Sequence, residues 1–321
     1  MPGTTNVLRY VVGRVGTSLV VLLGLVLGTF LIVRLVPGDP VLALLGPRAT
    51  PDAIAQTREV LGLDQSLPRQ LVDFVVGILR GDLGSSIPLR APATEVIGSR
   101  IAPSALLIAY GLVVALVIGV PLAIVSAVRP HGVVDNLVRL LTTFAFAMPT
   151  FWLGLMLALF FGLRLEWFPV SGYETGAGGA LRSLTLPAVT LGLSLAVVVV
   201  RTLRSNLLQV LRSEYVEAAR SRGLSPSRVV MRHGLRNAVM STITILSVDI
   251  GFLIGGTVVI EQVFQLPGLG TLLLQSVQRS DYALVQAIVL VAGAAVVLVS
   301  LLADLLQAAL DPRVALNGSS S

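Results

Sequence analysis

Glu214, Glu217, Arg220, Arg222 and Gly223 stand within one ten-residue stretch, and their chemistry is recognition rather than bond breaking. Carboxylates and guanidiniums crowded together make charge-assisted, often bidentate hydrogen bonds to a complementary surface. Nucleophilic and metal chemistry lack their parts. The chain has no cysteine, so disulfides and thiolate sites are excluded. Its two histidines, His131 and His233, lie far apart without a carboxylate cluster, so a zinc site of the usual kind has nothing to build on. All 23 basic residues are arginines. The lysine with which a P-loop reaches terminal phosphates is therefore missing, and ATP used through a P-loop has to be bound by another chain. Asp249 interrupts an otherwise apolar run. A carboxylate at membrane depth costs about 2.5–3.5 kcal/mol, which demands a bundle interior or a wet cavity around it. Two readings stay open: Asp249 lines a polar cavity and attracts a cationic group there, or it makes an interhelical polar contact or sits protonated.

The elements that position these residues are membrane spans. Hydrophobic residues make up 55% of the 321 residues and charged ones 12%, against roughly 25% charged in soluble proteins. A bilayer core about 30 Å thick needs about 20 apolar residues per helix. Uncharged runs at Val15–Val33, Ile101–Val128, Leu140–Leu163, Ser183–Val200 and Tyr282–Ala303 have about that length, and a sixth, Asn237–Ile260, is broken only by Asp249. An all-α polytopic protein with six spans is expected. Arg9 and Arg14 precede the first run, and eight arginines from Arg201 to Arg236 stand against Glu214 and Glu217. Arginine-rich short segments stay on the cytoplasmic side, so the N-terminus, the 201–236 loop and, after six crossings, the C-terminus face inward. The net charge of +6 thus reflects topology and membrane lipid rather than nucleic acid. The first run is longer than a signal-peptide core and lacks a small-x-small cleavage pattern, so a retained anchor is expected.

Four regions follow: 1–36 with the first span, 37–100 outside, 101–308 as the core containing the loop 201–236, and a cytoplasmic tail 309–321. The outer segment carries six arginines and seven acids. It opens with the turn residues Pro37-Gly38-Asp39-Pro40. Thr50-Pro51-Asp52 predicts an N-cap and first-turn proline for a short helix towards Leu61. From Pro68, the apolar Leu71, Phe74, Val75, Ile78 and Leu79 recur at helical spacing, with Gly81 ending the pattern. A small, partly helical extracytoplasmic insertion is expected rather than a disordered linker. Trp167 and Phe168 suit a membrane interface. Pro103, Pro121, Pro149 and Pro187 mark kinks or helix starts, and Gly24-x-x-x-Gly28 and Gly251-x-x-x-Gly255 are candidate close-packing seams. The tail Asn317-Gly318-Ser319-Ser320-Ser321 reads as a flexible end.

Within 201–236, Glu214 to Arg222 are strong helix formers stopped by Gly223, the usual residue just past a helix end. Ser225-Pro226 then supplies a second N-cap and first-turn proline. Helix, tight turn, helix is the local expectation. The small Ala218, Ala219 and Gly223 let a partner approach closely, which suits a docking element; a basic hairpin resting on anionic lipid is the competing reading.

Glu217-Ala218-Ala219-x-x-x-Gly223 resembles the EAA motif of bacterial ABC-type import permeases. Pro37-Gly38-Asp39-Pro40, Leu61-Gly62-Leu63-Asp64, Gly81-Asp82-Leu83-Gly84-Ser85, Trp167-Phe168-Pro169-Val170-Ser171-Gly172, Glu261-Gln262-Val263-Phe264 with Pro267-Gly268-Leu269-Gly270, and Asp311-Pro312-Arg313 occur in order. Together, from about Arg9 to Val314, they resemble the first (B-type) permease subunit of the dipeptide, oligopeptide and nickel branch. The resemblance implies a type I importer permease fold. It also implies a second homologous permease, two cytoplasmic ATPase subunits that hold ATP and magnesium, and an extracytoplasmic substrate-binding protein. By the same resemblance, Glu214, Tyr215, Glu217, Ala218, Ala219, Arg222 and Gly223 form the coupling helix seated in the ATPase. The chain itself would carry no cofactor and catalyse nothing.

Two departures stand out. The wider EAA pattern continues with Ile-x-Leu-Pro, where this chain has His233-Gly234-Leu235-Arg236. The branch commonly reads Asn-Ala-Leu-Leu-Pro, where Asn237-Ala238-Val239-Met240-Ser241 lacks the proline, which bears on the bend entering the fifth span. A self-sufficient secondary transporter would show buried ionisable relays and internal repeats. Only Asp249 lies deep, and no repeat is evident. A membrane-embedded enzyme lacks a His/Asp/Glu cluster. Short peptides are the expected cargo, with nickel complexes, glutathione or oligosaccharides as alternatives within the same machinery.

Overall fold

The computed structural model describes residues 4–35, 40–46, 49–60 and 62–310. Pro37-Gly38-Asp39, Leu61 and Asp311-Pro312-Arg313 with the rest of the tail lie outside them. In chain order the elements are α1 (Thr4–Leu35), α2 (Pro40–Leu45), α3 (Pro51–Val60), α4 (Leu67–Leu79), β1 (Ser85–Ser86), β2 (Ala91–Pro92), α5 (Ala93–Val128) and α6 (Val133–Ala147). Next comes α7 (Thr150–Leu157), which runs into a π-helical turn at Ala158–Arg164. Then come α8 (Ala177–Leu211), α9 (Glu214–Ser221), α10 (Pro226–Arg228), a second π-helical turn at Val229–Leu235, α11 (Arg236–Val263), α12 (Leu269–Gln278) and α13 (Tyr282–Leu310). The described residues are all-α apart from one short antiparallel hairpin, in which Ser85 faces Pro92 and Ser86 faces Ala91.

Four described helices are long and apolar enough to cross a bilayer, and they sit in α1, α5, α8 and α13. The run Leu140–Leu163 is no single rod: α6 and the helix from Thr150 to Arg164 meet at 101°. Pro149 is the cause. It lacks a backbone donor, and it forces Met148 to φ −80°, ψ 130° instead of a helical conformation. Counted as one, this bent pair makes a fifth crossing. The run Asn237–Ile260 falls in α11, whose described apolar stretch is Gly251–Val263. Pro187, by contrast, is carried inside a continuous α8, and Pro103 and Pro121 inside α5.

The described residues form two compact units, with α1, α5 and α13 contributing to both. One contains residues 105–266, the start of α1 and the end of α13. Here α5 and α8 touch at backbone distance. A Cβ on Gly192 would stand 2.7 Å from the Gly111 carbonyl, and one on Gly119 would stand 2.8 Å from Val199 Cγ1. At the candidate seams, a Cβ on Gly24, Gly28 or Gly255 would meet nothing within 4 Å among the described residues. Leu107, Leu184, Leu191, Ile260 and Phe264 build one core, and Ala123, Leu203, Leu207 and Ala238 another. Two motifs distant in sequence meet here: Gly172 N donates to the Phe264 carbonyl at 2.9 Å, and Phe168 and Val170 pack on the Phe264 cluster. Arg14 and Asp304 pair at 3.3 Å, which brings the start of α1 and the end of α13 to one side.

The same unit holds a buried ion pair. Asp135 is fully buried near the start of α6. Arg204 of α8 meets it bidentately, Nε to Oδ1 and Nη2 to Oδ2, both at 2.7 Å. The Asp135 carboxylate also accepts from Ser126 Oγ and from His131 N, and Arg204 Nε reaches Ser126 Oγ at 2.9 Å. Three segments are thus tied by one satisfied carboxylate.

The second unit contains residues 16–104 and 267–297. The expected cap at Thr50 is present, its Oγ1 accepting from Ala53 N at 3.3 Å. Helix α4 ends as expected ahead of Gly81, which has φ +78°. Arg34 stacks on the Phe30 ring with its Cζ 3.5 Å from the centroid and donates to Gln70 Oε1, which ties α4 to the end of α1. The hairpin was not expected, since strands of two residues have no readable period. It is held by Ser86 Oγ donating to Asp281, whose other oxygen caps α13 at Leu284 N.

Removing Asp135 leaves a mostly buried guanidinium unpaired. Asp135→Ala is therefore expected to cost about 3–5 kcal/mol, read as a lowered melting temperature of the purified protein. A melting curve unchanged from wild type would show the pair to be dispensable.

Candidate functional site

Helix α9 is short, and its charges follow its dipole: Glu214 and Glu217 fall in the first turn and Arg220 in the last. Ser213 stands at the N-cap with extended backbone, but its hydroxyl gives no capping bond and donates to the Val210 carbonyl instead. The C-terminal end closes as a Schellman turn. Gly223 N donates to the Arg220 carbonyl and Leu224 N to the Ala219 carbonyl, with Gly223 at φ +78°. Glycine is required there by conformation rather than by space, since nothing lies within 4 Å of a Cβ at that position.

The helix has two faces. Val216, with no exposed surface, and Ala219, 8% exposed, point into the protein. Glu214, Tyr215, Glu217, Ala218, Arg222 and Gly223 are exposed. Ala219 therefore helps seat α9 on its own chain, and only Ala218 and Gly223 of the small residues remain on the outer face. Sequence reasoning missed Val216, although Val216 and Ala219 stand three apart, the spacing of one helix face.

A polar latch fixes the orientation. The Tyr215 hydroxyl donates to the His233 carbonyl at 3.1 Å, and Asn237 Nδ2 donates to the Tyr215 oxygen at 2.6 Å. His233 belongs to the π-helical turn that leads into α11. That turn lies tightly on α8, for a Cβ on Gly234 would be 2.9 Å from Leu207 Cδ1. The expected second helix after Ser225-Pro226 is thus three residues of α10 followed by a π turn and α11. The chain without the Asn-Ala-Leu-Leu-Pro proline enters α11 through wide helical turns. Tyr215, His233 and Asn237 are joined only by the fold.

Asp249 lies in α11 and is half-buried, with no hydrogen-bond or ionic partner among the described residues. It stands apart from the α9 constellation. No group of three or more His, Asp or Glu side chains among the described residues could hold a metal ion.

The chain belongs to a known class. Residues 119–316 match the family described as "Binding-protein-dependent transport system inner membrane component", and residues 7–94 match its N-terminal companion. The chain is a member of that family, a membrane permease subunit of an ABC importer rather than its ATPase. A glutathione transport system permease protein of Pectobacterium atrosepticum is 38% identical over 96% of this chain and 99% of its own length. The corresponding Salmonella typhimurium protein is 37% identical over the same shares. A Sinorhizobium fredii protein described as a probable peptide ABC transporter permease is 32% identical over 95% and 98%. Among solved structures, a chain of the MetNI methionine ABC transporter in inward-facing conformations superposes with a TM-score of 0.56. It is 18% identical and covers 71% of this chain and all of its own, so the likeness is one of fold.

Gly223→Ala places a Cβ in the left-handed region, at a cost of about 1–2 kcal/mol. Hydrogen exchange at Gly223 and Leu224 is expected to speed up in that variant and to change little in Gly223→Asn, because asparagine tolerates the conformation. Equal protection in both variants would mean that the turn does not hold the end of α9.

Proposed function

We propose that this chain forms half of a translocation pathway for short peptides and is driven through α9 by ATPase subunits. The observation that carries the reading is the two-faced α9. Val216, Ala219 and the Tyr215 latch bind it to the permease, and Glu214, Glu217, Ala218 and Arg222 remain outward. A helix gripped on one face by its own chain and offered on the other can pass a push from a partner to α8 and α11. The proposed assembly contains a second homologous permease, two cytoplasmic ATPase subunits that bind ATP and magnesium, and an extracytoplasmic binding protein that delivers cargo. Six spans in a bacterial inner membrane, with both termini cytoplasmic, suit the Arg14–Asp304 pairing, since an even number of crossings returns the chain to one side.

Peptide cargo is favoured by the relatives, described as glutathione and peptide permeases at 32–38% identity across nearly the whole chain. In this reading the extracytoplasmic segment 37–100 forms part of the surface that receives the binding protein. Asp249 is proposed to face the path.

Affinity purification of the chain from its native membranes, with mass spectrometry of what accompanies it, tests the assembly. A second permease and P-loop ATPases are expected. Recovery of the chain alone, under conditions that keep control complexes whole, would point to a self-sufficient transporter. Glu217→Arg reverses a charge on the outer face and is expected to lower ATPase recovery and peptide uptake by about tenfold, as for a central interface residue. Normal recovery would place the contact elsewhere. Asp249→Asn is expected to preserve assembly while cutting uptake of peptides with a free amino group by about fivefold, a charge contact worth roughly 1 kcal/mol. Unchanged uptake would take Asp249 off the path.

A further inference from the structure

We propose that the cleft between α6 and α8 is a binding site for the phosphodiester headgroup of an anionic phospholipid. The cleft has a volume of about 280 Å³ and is lined by Arg139, Thr142 and Thr143 of α6 and by Arg201 and Arg204 of α8. Pockets that enclose drug-sized ligands run to about 300–1,000 Å³, so this one suits a headgroup better than an extended cargo.

Its charges do not balance. Arg204 is matched by Asp135 through both carboxylate oxygens. Arg139 and Arg201 are exposed and have no carboxylate partner among the described residues. Among the described residues, the one polar side-chain contact of Arg201 is Nη2 to Thr143 Oγ1 at 3.5 Å. Two guanidiniums therefore share one cleft without a counter-charge, an arrangement that repels itself until an anion bridges it.

Depth decides which anion. Arg139 immediately precedes the apolar run Leu140–Leu163, and Arg201 immediately follows the run Ser183–Val200. Both thus stand at the edge between hydrocarbon and headgroups, where lipid phosphates lie. On α6, Leu140, Leu141, Phe144 and Phe146 are exposed beside the cleft, a surface suited to acyl chains. The Arg201 guanidinium lies 4.7 Å from the centroid of the Phe146 ring, which fixes the charge at this level by a cation–π contact. A soluble protein partner would leave those side chains uncovered. Basic pockets between spans are a known means of holding anionic headgroups. The site is separate from the outer face of α9, and the inference does not depend on the cargo.

The test is native mass spectrometry of the purified complex, titrated with phosphatidylglycerol, cardiolipin and phosphatidylcholine. Wild-type protein is expected to retain the two anionic lipids and not phosphatidylcholine. The double variant Arg139→Gln, Arg201→Gln is expected to bind the anionic lipids about thirtyfold more weakly, from two basic groups at their usual worth near a charged bilayer. Equal retention of phosphatidylcholine by the wild type would overturn the proposal without recourse to any variant. Unchanged anionic-lipid affinity in the folded double variant would also overturn it. Millimolar inorganic phosphate that displaces the lipid completely would assign the cleft to a soluble anion. Loss of ATPase subunits from the double variant, with lipid binding intact, would assign it to a protein interface.

Discussion

In hydrocarbon there is no water to satisfy a peptide group, so a chain with long uncharged stretches must close its backbone hydrogen bonds within helices. Everything else in this protein is arranged around that constraint. Charged side chains collect at the ends of the helices and in the connections between them. Asp249, midway along α11, departs from that pattern. Asp135, in the first turn of α6, keeps to it but is fully buried, and the Arg204 guanidinium with two further donors leaves no oxygen of it uncompensated. The pair costs desolvation and repays it only through this complete satisfaction, which makes it a fastening rather than a source of stability.

From that fastening the architecture leads to α9. Arg204 lies on the last part of α8, and α9 begins three residues after α8 ends. The same end of α8 receives Gly234 of the π turn against the side chains of Leu207 and Leu211. A displacement of α9 therefore meets a helix anchored on one side to α5 and α6 and on the other to the entry of α11. Short, tightly held connections of this kind transmit movement because a packed interface shifts as a unit and does not deform gradually. The Tyr215–His233–Asn237 latch closes the loop between α9 and α11.

Much of the candidate site was legible in the sequence. Local features announced themselves: the limits of α9, its terminating Gly223 and the Thr50 cap. Each is set by the conformational preference of one or two residues, and that preference does not wait for a partner. Misreadings came where the answer lay across the chain. Gly24 and Gly28 have the spacing of a packing seam yet meet nothing within 4 Å, whereas Gly111 and Gly119, each four residues from Ala115, and Gly192, four from Ala188 and Ala196, make the close contact of α5 with α8. Ala218 and Ala219 are alike in sequence and opposite in place.

What the sequence determined by itself was the membrane as medium, the positions of the apolar runs and the helical character of the segment ending at Gly223. These depend on composition and on neighbours a few residues apart. Only the tertiary structure decided that Ala219 turns inward. It also decided that Arg204 finds Asp135 across 69 positions, and that Gly172 meets Phe264. The reason is physical. A guanidinium or an amide accepts any suitably placed oxygen, so the choice among many belongs to helix packing, which brings distant residues within 3 Å.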